Sequence, residues 1–233
     1  MRATTTTRKA LPPTVWALGF TSLFMDVSSE LIHGLLPLFL VVNLGASAAV
    51  LGLVEGIAEA AAQIVKVFSG WLSDILRRRK ALAGAGYGLA AITKPLFPLA
   101  STVTLVAFAR LVDRIGMGIR GAPRDALVAD VTPPAQRGAA FGLRQSLDTV
   151  GATLGPLLAI GLMALFNDDI RTVLWFAVIP AVISVAILLI FVRDPGPQHL
   201  LEDGTKRVPI KLRDLGGLGR FYWFVVGAGA VFT

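Results

Sequence analysis

Charged side chains recur inside the longest apolar runs of this chain. Asp26, Glu30 and His33 stand at i, i+4 and i+7 within the run 15–42, and Glu55, Glu59 and Lys66 within 50–73. Arg110, Asp113 and Arg114 fall within 103–124, and Arg144 and Asp148 within 139–165. Residues three and four apart share one surface of a helix, so each group would present its charges on a single face. A central Asp, Lys or Arg costs roughly 2.5–3.5 kcal/mol on membrane-insertion scales, so such clusters persist where they face one another or a water-filled path. Two carboxylates one turn apart repel when both are ionised, which suits Asp26 and Glu30 to taking up and releasing a proton. Serving as fixed counter-ions to Arg110 or Arg114 is the other reading of the same residues. Asp113 is also spaced for a local ion pair within its own helix. The pattern implies a transporter or channel, and it contains no metal spacing, phosphate-cradling glycine loop or nucleophile–base pair of an enzyme. No metal, cofactor or catalytic residue is implied.

The elements that must carry these residues are membrane spans. The chain has 233 residues, of which 55% are hydrophobic and only 16% charged, and its mean hydropathy is +0.71. Soluble domains average about 25% charged residues. About 20 apolar residues cross a bilayer, and six stretches qualify, at 15–42, 50–73, 81–99, 103–124, 139–165 and 172–192. The net charge of +7 does not mark a nucleic-acid partner, because the basic residues alternate by side. Arg2, Arg8, Lys9, the run Arg77–Lys80, Arg137 and the basic residues after Val192 belong to one side, and Arg171 alone to the other. The positive-inside rule then predicts a multi-pass protein of the cytoplasmic (inner) membrane with its N-terminus in the cytoplasm. The first span is too long for a signal peptide. The absence of cysteine removes disulfides and thiolate chemistry.

The predicted fold is all-α. It has a cytoplasmic tail over 1–13, a six-helix bundle over 14–192, a Pro- and Gly-rich cytoplasmic linker over 193–220 and a truncated seventh segment over 221–233. Charge is richest in spans one and four, lower in two and five and least in three and six, the gradient expected of an inverted 3+3 repeat. In that reading spans one and four face a cavity and span six faces lipid. Lys94, beside Pro95, and Arg120, Arg124 and Asp125, near a helix end, are expected to snorkel outward or pair in loops. The short seventh segment implies a second six-helix half, in the same longer chain or a second copy.

Three motifs carry a resemblance. GWLSDILRRRK places Gly70, Asp74, Arg78 and Arg79 at one loop, with Ile75 and Arg77 as departures. Gly142, Gly151, Gly155 and Pro156 follow a spaced glycine–proline pattern. Arg110 or Arg114 precedes Gly116 and Gly118 in the fourth span. The first resembles the loop signature of the major facilitator superfamily, the second its antiporter signature and the third its arginine-plus-glycine motif. The resemblance implies an N-terminal six-helix half of a twelve-helix transporter rocking about a midplane site. Asp26, Glu30, Arg110, Asp113 and Arg114 would act in proton coupling or substrate binding. Gly70, Asp74, Arg78 and Arg79, with Glu55, Glu59, Arg144 and Asp148, would act in gating and contacts between halves, and Gly142, Gly151, Gly155 and Pro156 in packing. Proton-coupled export of a small organic solute is expected, with the proton gradient in place of a cofactor. Uptake of a polar or anionic metabolite by symport or facilitation, and a non-transporting assembly partner, are the alternatives.

Overall fold

The computed structural model describes residues 10–76 and 78–193. The first nine residues of the tail, Arg77, nearly all of the expected linker and the seventh segment lie outside the described residues. The chain divides into two units, Met1–Leu200 and Leu201–Thr233, and the described residues all belong to the first.

Every described element is helical: α1 Pro13–Leu38, α2 Ala48–Leu76, α3 Arg79–Thr93, α4 Leu96–Leu99, α5 Val103–Val131, α6 Arg137–Leu165, α7 Ile170–Phe176 and α8 Val178–Phe191. In hydrocarbon only a helix satisfies a spanning backbone from within its own segment. Pro13 opens α1, where a missing N–H costs nothing. Two residues beyond Pro37, α1 continues as a π-helical turn, Phe39–Asn43, where the proline has disturbed the regular ladder. Thr102 caps α5 by accepting from the Leu105 N–H. Asp169 caps α7, accepting from the N–H of Arg171 and Thr172 and from the Thr172 hydroxyl. Those bonds, the hydroxyl's first, hold the Asp169 carboxyl below its usual range, so this cap is present at neutral pH and lost as pH falls through that lowered value.

The short breaks at Lys94–Pro95 and Ala177 join α3 to α4 and α7 to α8, so the eight elements form six rods. Four are long and apolar enough to cross a membrane, over Pro13–Asn43, Ala48–Leu76, Pro134–Leu165 and Ile170–Phe191. The α5 rod is long enough too, but it carries seven charged residues between Arg110 and Asp130 and extends past the expected end at 124.

Packing follows small residues. The residues that α2 buries are Ala58, Ala62, Ser69 and Ser73, one helical face laid along α5. The buried residues within α6 are Ala140, Gly151, Gly155 and Ala159, on the face laid along α1. A methyl at Gly118 of α5 would stand 2.5 Å from the Ala62 carbonyl oxygen, and one at Gly151 2.6 Å from that of Leu23. Gly86 and Gly116 meet equally closely where α3 crosses α5. Gly142 departs from expectation: it is exposed with open space around it, so it packs against no helix among the described residues. Ser28 and Ser184 fasten α1 to the last rod, donating to the carbonyls of Ala177 and Thr21 at 2.7 and 2.6 Å. Rod one therefore packs on rods five and six, and rod four on rods two and three. This pairing maps onto itself when the two triplets of rods are exchanged.

Two apolar clusters fill the ends of the bundle. One gathers Leu36, Phe39, Phe97, Val106 and Val173, the other Val15, Leu18, Tyr87, Leu127 and Leu188. Asp26, Glu30, Lys94, Arg144, Asp148 and the charged residues of α5 from Arg110 to Asp125 fall between the two clusters along the chain. Large apolar side chains of α2 and α6, such as Leu53, Val67, Phe68, Leu157 and Ile160, point outward.

A methyl at Gly155 would meet the Glu30 Cβ at 2.7 Å and the Val27 oxygen at 2.9 Å, whereas Gly161 of the same helix has nothing within 4 Å. Gly155→Ala is therefore expected to destabilise by about 1–3 kcal/mol through overpacking. Gly161→Ala is expected to leave the melting temperature unchanged or raise it. Melting curves in detergent micelles test the pair, and equal melting temperatures would refute the close crossing.

Candidate functional site

Along α5 the polar residues that face inward descend in steps: Arg110, Asp113, Arg114, Arg120, Arg124 and Asp125. At 1.5 Å per residue they span about 22 Å of helix. Each cation on this ladder has an acid nearby, most of them on another helix.

Arg110 is completely buried. Its Nε and Nη2 donate to Glu55 Oε2 at 3.2 and 2.8 Å, and Nη2 also donates to His33 Nδ1 at 2.6 Å. Because a guanidinium only donates, Nδ1 must be the bare nitrogen of the imidazole ring. Arg114 is partly exposed and lies 3.8 Å from Glu59, which also accepts from Gln63. Of the two candidates that spacing left equal, Arg110 is the more deeply buried.

Asp113 keeps the local pair expected of it with Arg110, but as the longer of two ionic contacts. Its nearest cation is Lys94 Nζ at 2.8 Å, while Arg110 Nη1 stands at 3.9 Å. Lys94 is completely buried and also donates to Ser29 on α1 at 3.0 Å. The expectation that Lys94 snorkels outward is therefore corrected. The break beside Pro95 turns its side chain inward, where Asp113 neutralises it, so a charge that composition made look peripheral ties rods one, three and four.

Arg120 and Arg124 are corrected in the same way. Arg120 is 5% exposed, stacks its guanidinium 4.8 Å from the centre of the Tyr87 ring and lies 3.8 Å from Asp26 Oδ1. The close counter-ion of Asp26 is thus Arg120, not Arg110 or Arg114. Arg124 donates to Ser22 at 2.8 Å, which in turn meets the Tyr87 hydroxyl at 3.0 Å, and it stands 3.8 Å from Asp148. Arg144 bonds Asp125 at 2.8 Å and lies 3.5 Å from Asp148. Glu30 has neither a hydrogen bond nor an ion pair among the described residues, and its Cβ rests against Gly155. Glu55, Glu59, Arg144 and Asp148 find partners on α5 within the bundle.

At the rim that holds the ends of α2 and α5, Arg79 bonds Asp74 at 3.1 Å, the Ala126 carbonyl at 3.1 Å and the Asp130 carboxylate. Gly70 lets α2 approach the Ala122 methyl of α5. Arg78 is exposed just before α3. At the other rim Arg171 donates to the Pro98 carbonyl at 2.9 Å and covers the Phe39 ring at 5.2 Å. No group of three or more His, Cys, Asp or Glu is placed to hold a metal ion among the described residues.

Removing one partner of a buried ion pair strands the other charge and typically costs about 3–5 kcal/mol. Lys94→Met is expected to lower the melting temperature sharply, and adding Asp113→Leu to recover at least half of the loss. Additive losses in this double-mutant cycle would show that the two groups do not act as a pair.

The comparisons with known proteins agree with this architecture. The profile of the Major Facilitator Superfamily matches residues 18–233. An uncharacterized MFS-type transporter, MJ1317 of Methanocaldococcus jannaschii, is 32% identical over 88% of this chain and 52% of its own length. The multidrug resistance protein MdtH of Photorhabdus laumondii is 26% identical over 90% of the chain and 50% of its own length. Further relatives are an arabinose–proton symporter of Bacillus subtilis, 28% identical over 62% of the chain, and the quinolone resistance protein NorA of Staphylococcus aureus, 23% identical over 78%. A solved mutant of the peptide transporter POT in complex with sulfate superposes with a TM-score of 0.72 at 17% identity, covering 95% of this chain and 44% of the other. The chain spans about half the length of the curated relatives it matches. It is a multi-pass membrane protein with a transporter fold, and it belongs to the Major Facilitator Superfamily.

Proposed function

We propose that this bundle is the N-terminal half of a secondary active transporter that moves a small organic solute by alternating access, coupled to protons through Glu30 and Asp26. The observation that carries the reading is Glu30. It is a carboxylate in the charged middle layer with no counter-ion of its own among the described residues, one turn from an Asp26 whose nearest cation stands 3.8 Å away. Elsewhere in that layer carboxylates are matched, so a loosely held pair is where a proton can be gained or lost with least disturbance. The self-mapping rod pairing supports an inverted 3+3 repeat. The outward apolar faces of α2 and α6, together with the half-length match, support a second six-helix half as partner, with lipid covering what remains. Arg78, Arg79, Lys80, Arg137 and Arg193 gather at one rim and Arg171 at the other, which supports an inner-membrane protein with that rim in the cytoplasm.

Export in exchange for protons is supported by the close crossing of α1 and α6 at Gly151 and Gly155, the spaced glycines of the antiporter-like pattern. A second reading, uptake together with protons, is favoured by the 3.8 Å gap between Asp26 and Arg120. An acid group that takes an arginine from a carboxylate binds best when that carboxylate is protonated, so proton and anion bind together and travel the same way. Exchange requires a solute that competes with the proton instead.

Proteoliposomes carrying the full transporter test both. With a panel of organic solutes, flux is expected to respond to an imposed pH gradient and to lose that response in Asp26→Asn/Glu30→Gln. The sign of accumulation, against or along the proton gradient, selects exchange or co-transport. Flux indifferent to the gradient, or an unimpaired double variant, would refute proton coupling at these residues.

A further inference from the structure

Between α1, α2, α5 and α6 an open cavity is lined by Asp26, Lys66, Arg120, Arg124 and Asp148, with Gly118 and Gly121 forming part of its wall. Three cations face two carboxylates there. The surplus falls on Lys66, an exposed side chain with no hydrogen bond or ion pair among the described residues. Its side chain runs alongside Gly121, where a methyl would stand in ordinary contact, 3.6 Å from the Lys66 Cε. Arg124 is engaged by Ser22, Asp125 and Asp148. Arg120 is held less fully: its Nη2 lies at 3.8 Å from Asp26, and its Nη1 has no hydrogen-bond partner. An unbalanced cation at membrane depth is costly, and a single negative charge brought by a solute would neutralise the set. A dianion would overshoot by one charge, and a cation would deepen the imbalance. Ala62 and Met117 add an apolar wall, which suits a small organic body beside the acid group.

We propose that this cavity binds a small organic monoanion, a monocarboxylate, whose acid group is held by Lys66 and Arg120. The proposal rests on the reading of the bundle as half of a transporter, supplies its solute class and, because the anion would take Arg120 from Asp26, goes with the co-transport form of that reading.

Calorimetric titration of the full chain in detergent micelles tests it, with acetate and benzoate as probes and benzamide and benzylammonium as uncharged and cationic counterparts at constant chloride. Saturable binding of the carboxylates, and of neither counterpart, is expected. Lys66→Gln should weaken it about tenfold or more, the loss of one charge-assisted contact, and Lys66→Arg should retain it. Because Lys66 is exposed and unpaired, Lys66→Arg is expected to melt as the parent does and Lys66→Gln no lower than the parent. Carboxylates that bind no better than benzamide, tighter binding of benzylammonium, or affinity unchanged in Lys66→Gln would each overturn the proposal. Proton-driven flux of other solutes without carboxylate binding would sink this site and leave the transport reading standing. Carboxylate binding that depends on Lys66 without any flux in vesicles would do the reverse.

Discussion

The structure depends on charge neutralisation in a medium that does not solvate charge. The α5 helix alone carries Arg110, Arg114, Arg120 and Arg124, and none is tolerable at depth without an acid from a neighbouring helix. Those acids sit on α1, α2 and α6, with Asp113 and Asp125 on α5 itself. The neighbours therefore must come close and hold one rotation about their axes. Small residues at the crossings permit the approach: Ala62 against Gly118, Leu23 against Gly151, Gly86 against Gly116. Where large side chains would keep the helices apart, the carboxylates would not reach. Electrostatic pairing and small-residue packing are thus one requirement seen from two sides.

The same requirement explains the asymmetry of α2 and α6. Each offers a narrow strip of Ala, Gly or Ser to the bundle and turns its bulk outward. Since lipid tails are as apolar as these side chains, no hydrophobic force draws such helices together within a bilayer. The ion pairs, the serine-to-carbonyl bonds and the tight crossings supply the cohesion instead.

Much of this was legible in the sequence. The six apolar runs, the Asp74 loop and the spacing of Gly151, Gly155 and Pro156 each depend on residues near one another in the chain, and local spacing reports them. Partnerships across helices were not legible. Lys94 read as peripheral because a proline follows it, yet the break beside that proline turns it inward onto Asp113. Arg120 and Arg124 read as end residues because the apolar run fades at 124, yet α5 continues to Val131 and keeps them at depth. Arg110 and Arg114 have equivalent spacing, and only burial distinguishes them. Gly142 matched a pattern but meets no helix among the described residues. In each case the missing quantity was the rotation of one helix relative to another, which a linear pattern does not contain.

At each rim an arginine beginning a rod grips a backbone oxygen: Arg79 the Ala126 carbonyl, Arg171 that of Pro98. A peptide oxygen does not titrate under physiological conditions, and a guanidinium stays charged throughout them. Acidification that empties the rim carboxylates Asp74, Asp130 and Asp169 of their charge leaves these two arginine-to-carbonyl bonds in place, so each lip of the bundle keeps one fastening that does not titrate.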